Sequence, residues 1–312
     1  MKVYEYGKDM ISNPKGCVIT LGFFDGVHIA HRDLIDTARA AAKKEGIPFG
    51  IFTFKSESGI KSNAKRIYTT KEKLDIFEEI GVDFTVIAEF SAISHLTAEQ
   101  FVKEVLIDSL NCRVAVAGFN FRYGKGAVGN SETLLADMKV NGRECIIRDE
   151  MMLDGVTVSA TLIRNLLSDG EIKRANRLLG RPYSIYGRVS HGNGVGKNLG
   201  FPTVNTDFSD NNVPLKRGVY RSALLLDEKI YPALTNVGTC PTFEERQLHA
   251  ETYILNFDGD VYNKEITLYI LDFIREERRF ATAEELKKQI IVDKNNAINR
   301  FGEETWQELG LK

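Results

Sequence analysis

The sequence predicts an α/β protein in two parts: a doubly wound, mostly parallel sheet, then an antiparallel β-barrel or sandwich with a terminal helix. Three observations carry this. Short apolar runs alternate with helical stretches through the first half, the pattern of strand–helix–strand units. From Tyr183 to Phe273 the runs become β-branched or aromatic, with turn residues between them, as in closely spaced antiparallel strands. The 312 residues suffice for two domains with separate cores.

Taken in order, residues 17–21, 49–54, 84–87, 114–117 and 145–147 read as buried strands. Between them Leu34, Ile35, Ala38 and Ala42 form one helical apolar face, and Leu74, Phe77 and Ile80 another. Thr69 with Glu72, and Thr97 with Gln100, are spaced as capping boxes at two helix starts. Sheets of this kind bind ligands outside the carboxyl ends of their strands. Residues 161–179 read as helix followed by helix, stopped by Gly180-Arg181-Pro182. Beyond them Asp227-Glu228 divides strand 219–226 from strand 230–237, and Asp258-Gly259 divides 252–257 from 261–270. A last helix starts at Thr282, boxed with Glu285, and presents Leu286, Ile290 and Ile298. The domains are expected to be 1–181 and 182–312, with no low-complexity linker and no internal repeat.

Composition narrows the class. Hydrophobic content of 43% and charged content of 27% are those of a globular chain, not a disordered one. A net charge of −2 gives no overall pull toward nucleic acid or membrane. Cys17, Cys112, Cys145 and Cys240 are scattered, with no C-x-x-C pair. They fit neither a zinc site nor a disulfide framework, and read as buried reduced thiols of a cytoplasmic protein. Residues 1–9 lack the apolar core of a signal peptide. No run approaches the roughly 18 apolar residues of a membrane helix. The oligomeric state is left open.

Two constellations in the first half point to phosphate chemistry. Gly22-Phe23-Phe24-Asp25-Gly26-Val27-His28-Ile29-Ala30-His31 falls where strand one turns into helix one. Glycines there let the backbone approach a ligand, and a helix N-terminus offers N–H groups to phosphate. His28 and His31, three apart, share a helix face and can stabilise charge on a pyrophosphate leaving group. A zinc site would need further ligands that the sequence does not supply. The second, Gly118 to Gly129, contains a literal G-x-G-x-x-G (Gly124, Gly126, Gly129). These glycines start some residues beyond a late strand, whereas the dinucleotide fingerprint belongs to the first βα turn. A mobile loop offering Asn120 and Arg122 to a nucleotide is the better reading, against a plain solvated loop. In 158–164, Ser159 or Thr161 can cap a helix and Arg164 can fork onto phosphate oxygens. Read alone, that segment is a capped helix with a surface arginine.

In the second half the residues from His191 to Asn205 include Gly194, Gly196, Lys197 and Gly200. Asn198 follows Lys197, so this is not a Walker A loop, but its N–H groups can cover phosphates. Thr203 and Asn205, two apart, face the same way on a strand, and their oxygens suit Mg²⁺ bridging nucleotide phosphates. A glycine-rich hairpin with ordinary polar side chains is the competing reading. Glu251 precedes strand 252–257. An inward carboxylate there is costly unless functional or paired, and within reach of a hydroxyl it can serve as general base. An outward Glu is the alternative.

Together these residues resemble the bacterial bifunctional riboflavin kinase/FAD synthetase family over nearly the whole chain. Residues 22–31, 118–124 and 159–164 are similar to its nucleotidylyltransferase domain. Gly180 to Tyr183, Gly200 to Asn205, Gly218-Val219-Tyr220, Asn236 to Phe243, Glu251 and Arg275 with Glu277 are similar to its kinase domain. The resemblance implies a Rossmann-like domain followed by a Greek-key β-barrel kinase. It implies substrates riboflavin, FMN and ATP, with Mg²⁺. Thr203 and Asn205 would hold metal and phosphates, Glu251 would activate the ribityl hydroxyl, and Arg275 would contact flavin. Gly22, Asp25, His28, His31, Asn120, Arg122, Thr161 and Arg164 would serve ATP or FMN in adenylyl transfer, and Gly194, Gly196 and Lys197 ATP in the kinase. Ala30 and Ala160 stand where the family usually has Gly and Ser, and Val204 and Asn263 where it has Ala and Gly. An enzyme with kinase activity alone, or a non-catalytic flavin sensor, are the rival expectations.

Overall fold

The computed structural model describes residues 1–56, 65–190, 200–207, 212–239, 248–259 and 261–311. It forms two compact units, Met1–Ala160 and Thr161–Lys312.

The first unit is a six-stranded sheet in the order β1-β4-β3-β2-β5-β6, every neighbouring pair parallel. Its strands are β1 (Lys2–Glu5), β2 (Cys17–Leu21), β3 (Phe49–Phe54), β4 (Phe84–Ala88), β5 (Cys112–Gly118) and β6 (Glu144–Arg148). All residues of β2 and β4 are buried, which is why they are apolar without alternation. Helices α1 (Ile29–Glu45), α2 (Thr70–Glu79), α3 (Phe90–Ile93), α4 (Ala98–Gln100) and α5 (Ser131–Val140) fill the crossovers, α4 running on into a π-helical stretch, Phe101–Ser109. Both anticipated capping boxes are formed, and Asn130 with Thr133 makes a third. A short hairpin, β7 (Met152–Leu153) and β8 (Val156–Thr157), ends the unit. The strand order reverses between β3-β2 and β5, making the carboxyl ends of β2 and β5 the topological switch point.

The second unit opens with α6 (Ala160–Asp169) and α7 (Ile172–Leu179). Gly180, at φ 72°, caps α7 as its sequence position requires. Because α7 packs on the barrel strands, compactness divides the chain at Ala160/Thr161 and not at the expected 181/182. Six antiparallel strands come next: β9 (Tyr183–Arg188), β10 (Thr203–Asp207), β11 (Gly218–Leu226), β12 (Lys229–Thr239), β13 (Leu248–Ile254) and β14 (Glu265–Arg275). Their order is β10-β13-β12-β11-β14-β9, with β10 beside β13 in a Greek key. Ser190 N donates to the Asn205 carbonyl at 2.9 Å, a bridge that ties the two ends of the sheet into a barrel. Asp227 and Glu228 both take positive φ, 48° and 63°, as a two-residue hairpin turn demands. The β13–β14 turn is longer than expected, since Asn256 and Asn263 adopt left-handed backbone (φ 54° and 62°) and Val261 turns into the core. Asn at 263 is the next best residue to glycine for that conformation.

Strand alternation divides the barrel into two faces. Inward lie Leu224, Ala233 and Ile254 and a buried hydroxyl chain, Ser222–Thr235–Thr252, with steps of 2.7 and 3.0 Å. Outward, Val219, Leu234 and Tyr253 are covered by α8 (Ala283–Glu303) through Ala297 and Phe301.

Candidate functional sites

In the first unit the chain leaves β2 through Gly22 to Val27 and enters α1 at His28. Phe24, Gly26 and Val27 are left-handed, with φ of 55°, 79° and 42°. A left-handed β-branched residue such as Val27 is rare and strained. His28 is the N-cap of α1, and its Nδ1 accepts from His31 N at 3.3 Å. The two imidazoles stack, centroids 3.6 Å apart and planes 15° from parallel. The pair is thus brought together at the carboxyl end of β2. Asp25 is 3% exposed, its Oδ1 accepting from Ile67 N at 2.9 Å and Tyr68 N at 3.5 Å. It fastens the turn to the chain preceding α2.

Beside it, at the carboxyl end of β5, Asn120 and Arg122 are both exposed. Adjacency comes from register, Thr20 opposite Val116. The loop expected to be mobile is instead fastened. Tyr123 and Gly129 form an antiparallel bridge (3.2 and 3.0 Å), and the Tyr123 hydroxyl donates to Asp137 at 3.0 Å. Burial pushes that phenol above the ordinary tyrosine range. Gly129 is required there, because a Cβ would lie 2.7 Å from the Tyr123 ring. Thr161 and Arg164 lie on α6 in the second unit, where Arg164 donates to Thr161 Oγ1 at 3.0 Å.

In the second unit Glu251 lies within β13, not ahead of it. It stands opposite Asn205 of β10 on one side and Asn236 of β12 on the other. Its side chain is exposed, on the outer face beside α8, so the carboxylate bears little desolvation cost. Thr203, opposite Tyr253, shares that face. Two oxygen-bearing side chains two residues apart, beside a carboxylate, fit a hard divalent cation shared with phosphates. Among the described residues no three His, Cys, Asp or Glu gather as a self-sufficient metal cage. Arg275 is committed to α8: its Nε and a terminal nitrogen donate to Asp293 Oδ2 at 2.9 and 2.8 Å. Gly194, Gly196 and Lys197 lie outside the described residues.

Sequence reasoning missed three contributors. Asn236 reads in the sequence only as the start of the similar segment 236–243, and its place opposite Glu251 becomes visible through register. Arg66 and Lys73 both reach the Phe23 ring, each 4.6 Å from its centroid; the buried face of α2 could have hinted at Lys73, and no local pattern at Arg66, which precedes that helix.

Comparison with known proteins finds relatives for both parts of the chain. A family model for FAD synthetase matches residues 10–162, and one for riboflavin kinase matches 179–301. The bifunctional riboflavin kinase/FMN adenylyltransferase of Escherichia coli (strain K12) is 33% identical over 294 residues, spanning 92% of this chain and 94% of that one. The chain belongs to the bifunctional riboflavin kinase/FMN adenylyltransferase family. The Bacillus subtilis (strain 168) member is also 33% identical, over 91% of this chain and 92% of its own. A crystal structure of a macrolide-efflux protein from Streptococcus pneumoniae superposes with a TM-score of 0.87 at 29% identity, covering 96% of this chain and 99% of that one. The fold is therefore shared over most of both chains. Among the described residues no helix is long and apolar enough to cross a membrane.

Proposed function

We propose that the second unit phosphorylates riboflavin to FMN with ATP, and that the first adenylylates FMN to FAD with release of pyrophosphate. The observation that carries the kinase half is the row Asn205–Glu251–Asn236, an exposed carboxylate with an asparagine opposite it on each neighbouring strand. Glu251 accepts the proton of the terminal ribityl hydroxyl as its oxygen bonds to the γ-phosphorus and the bond to ADP breaks. Thr203 and Asn205 would hold Mg²⁺, which when bound neutralises charge on the transferring phosphoryl group. Asn236, opposite Glu251, keeps that carboxylate oriented.

Adenylyl transfer has different needs. The nucleophile is a phosphate oxygen of FMN, already deprotonated, so no general base is called for. As it bonds to the α-phosphorus of ATP, the bond to the β-phosphate breaks and charge accumulates on pyrophosphate. Donors are what such a site requires, and His28, His31, Asn120 and Arg122 supply them; Gly22 leaves room for phosphate. Thr161 and Arg164 are proposed as further phosphate contacts, and Gly194, Gly196 and Lys197 as the kinase's ATP cover. Work in the cytoplasm, where ATP is available, fits the free thiols of Cys17, Cys112 and Cys145.

Incubation with riboflavin, ATP and Mg²⁺, then chromatographic separation of the flavins, tests the whole reading. FMN and then FAD are expected, and EDTA should stop both. FMN alone would reduce the protein to a kinase; no phosphorylated flavin would leave it a binding protein.

A further inference from the structure

We propose that Lys73 is a positioning residue for adenylyl transfer, holding the loop that carries His28 and His31; this rests on the adenylyltransferase reading of the first unit. Lysines normally run their stems along apolar surface and keep the ammonium in water. Lys73, on α2, is 1% exposed, and burying such a charge is costly unless it is well bonded.

Its bonds say what it does. Nζ donates to the Phe23 carbonyl at 3.1 Å and the Phe54 carbonyl at 2.9 Å, and lies 4.6 Å from the Phe23 ring centroid. Phe54 ends β3 and Phe23 comes just after β2, so one ammonium joins the carboxyl ends of two neighbouring strands. Arg66 reaches the same ring and donates through Nε to the Ser56 carbonyl. Thr53 Oγ1 donates to the Phe23 carbonyl as well, at 3.0 Å.

The turn beyond Phe23 accounts for this concentration of bonds on one carbonyl. Three of the next four residues, Phe24, Gly26 and Val27, are left-handed, and the fifth is His28, the N-cap of α1. Strained backbone persists only where its surroundings over-determine it. Lys73 fixes the carbonyl at the entrance of that strained turn, and the turn fixes the direction in which the imidazole pair leaves the sheet. Misplacing catalytic groups by an ångström can cost about a hundredfold in rate, so a residue that never touches substrate can control turnover.

The test is a double-mutant cycle of Lys73→Met, which keeps length and loses the donor, with His28→Ala. FAD formation from supplied FMN should fall about ten- to a hundredfold in kcat for Lys73→Met, with KM for ATP nearly unchanged. Riboflavin phosphorylation, measured in the same preparation, should be native. The double variant should lose no more than His28→Ala alone, because both act on one element. Lys73→Arg should recover part of the rate. Native kcat in Lys73→Met, or losses that multiply in the double variant, would overturn the proposal. If Lys73→Met does not fold, Thr53→Val removes the other donor to the same carbonyl; a kcat loss that does not add to that of His28→Ala supports the proposal, and native kcat overturns it. Wild-type protein that makes no FAD would instead defeat the adenylyltransferase reading itself.

Discussion

The imidazoles of His28 and His31 stack with centroids 3.6 Å apart while His28 Nδ1 accepts the backbone N–H of His31. A neutral imidazole that accepts at Nδ1 carries its proton on Nε2. His28 therefore offers a donor from the edge facing away from its own helix cap. Two rings in face contact share any positive charge at a cost if both carry it, so the pair acts as one unit.

Single substitutions should accordingly be almost as damaging as double ones. His28→Ala and His31→Ala are each expected to lower FAD formation from FMN by about 10²–10³-fold, the loss seen when one donor to developing charge is removed. The double variant should be little worse. Riboflavin phosphorylation should be unchanged, and a thermal melt should accompany the assay, since unfolding of the whole chain would lower both activities.

Glu251→Gln retains shape and loses basicity. Turnover of riboflavin should fall about 10²–10⁴-fold while riboflavin and ATP still bind, because proton removal belongs to the transition state. Glu251→Asp should keep partial activity through an intervening water. Asn236→Asp should also slow the kinase, by setting a like charge directly opposite Glu251. Adenylylation of supplied FMN is the internal control for all three. A Gln variant with native kinase turnover would return Glu251 to an ordinary strand position.

Gly129→Ala should destabilise the first unit. The added Cβ meets the Tyr123 ring at 2.7 Å, and overpacking of that order costs about 1–3 kcal/mol. Since Tyr123 fastens the loop bearing Asn120 and Arg122, KM for the adenylylation substrates should rise while the kinase is untouched. Steady-state kinetics with denaturant melts separates the two effects.

The thiols should be inert. Burial pushes Cys17 and Cys145 each up to about 12, and Cys112 well above its ordinary value. At pH 8 a group at about 12 is thiolate only about once in 10⁴ molecules. Alkylation and then peptide mass spectrometry should leave these three unmodified until denaturant is added. Stability should fall as pH rises above the unfolded thiol pKa, near 8.5, because the unfolded chain there releases protons that the folded chain retains. Native labelling at pH 8 would contradict this burial.

Much of this was legible in the chain. Five of the six strands of the parallel sheet declare themselves by short apolar runs, and both expected capping boxes are formed in the first unit. Strand β1 was not legible, because four residues on an edge, two of them exposed, carry no such run. The His pair announced its place through chain position alone. The place of Asn236 opposite Glu251, by contrast, is reached only by pairing strands, and Lys73 only by learning where α2 packs. Asp25 was read as a ligand contact, yet its Oδ1 is occupied by backbone amides 42 and 43 residues away; no local pattern encodes so long a reach.

The outward row of Asn205, Glu251 and Asn236 alternates with the inward hydroxyls of Thr206, Thr235 and Thr252. A slip of β13 by a single residue would turn that strand's side chains over, thrusting the Glu251 carboxylate inward beside Leu224 and Ala233 and leaving Thr252 on the outer face. Misfolding of this strand is thus penalised twice, in solubility and in chemistry. Barrel molecules that escape aggregation should hence be catalytically uniform, with no soluble population of half-active conformers to dilute a measured rate.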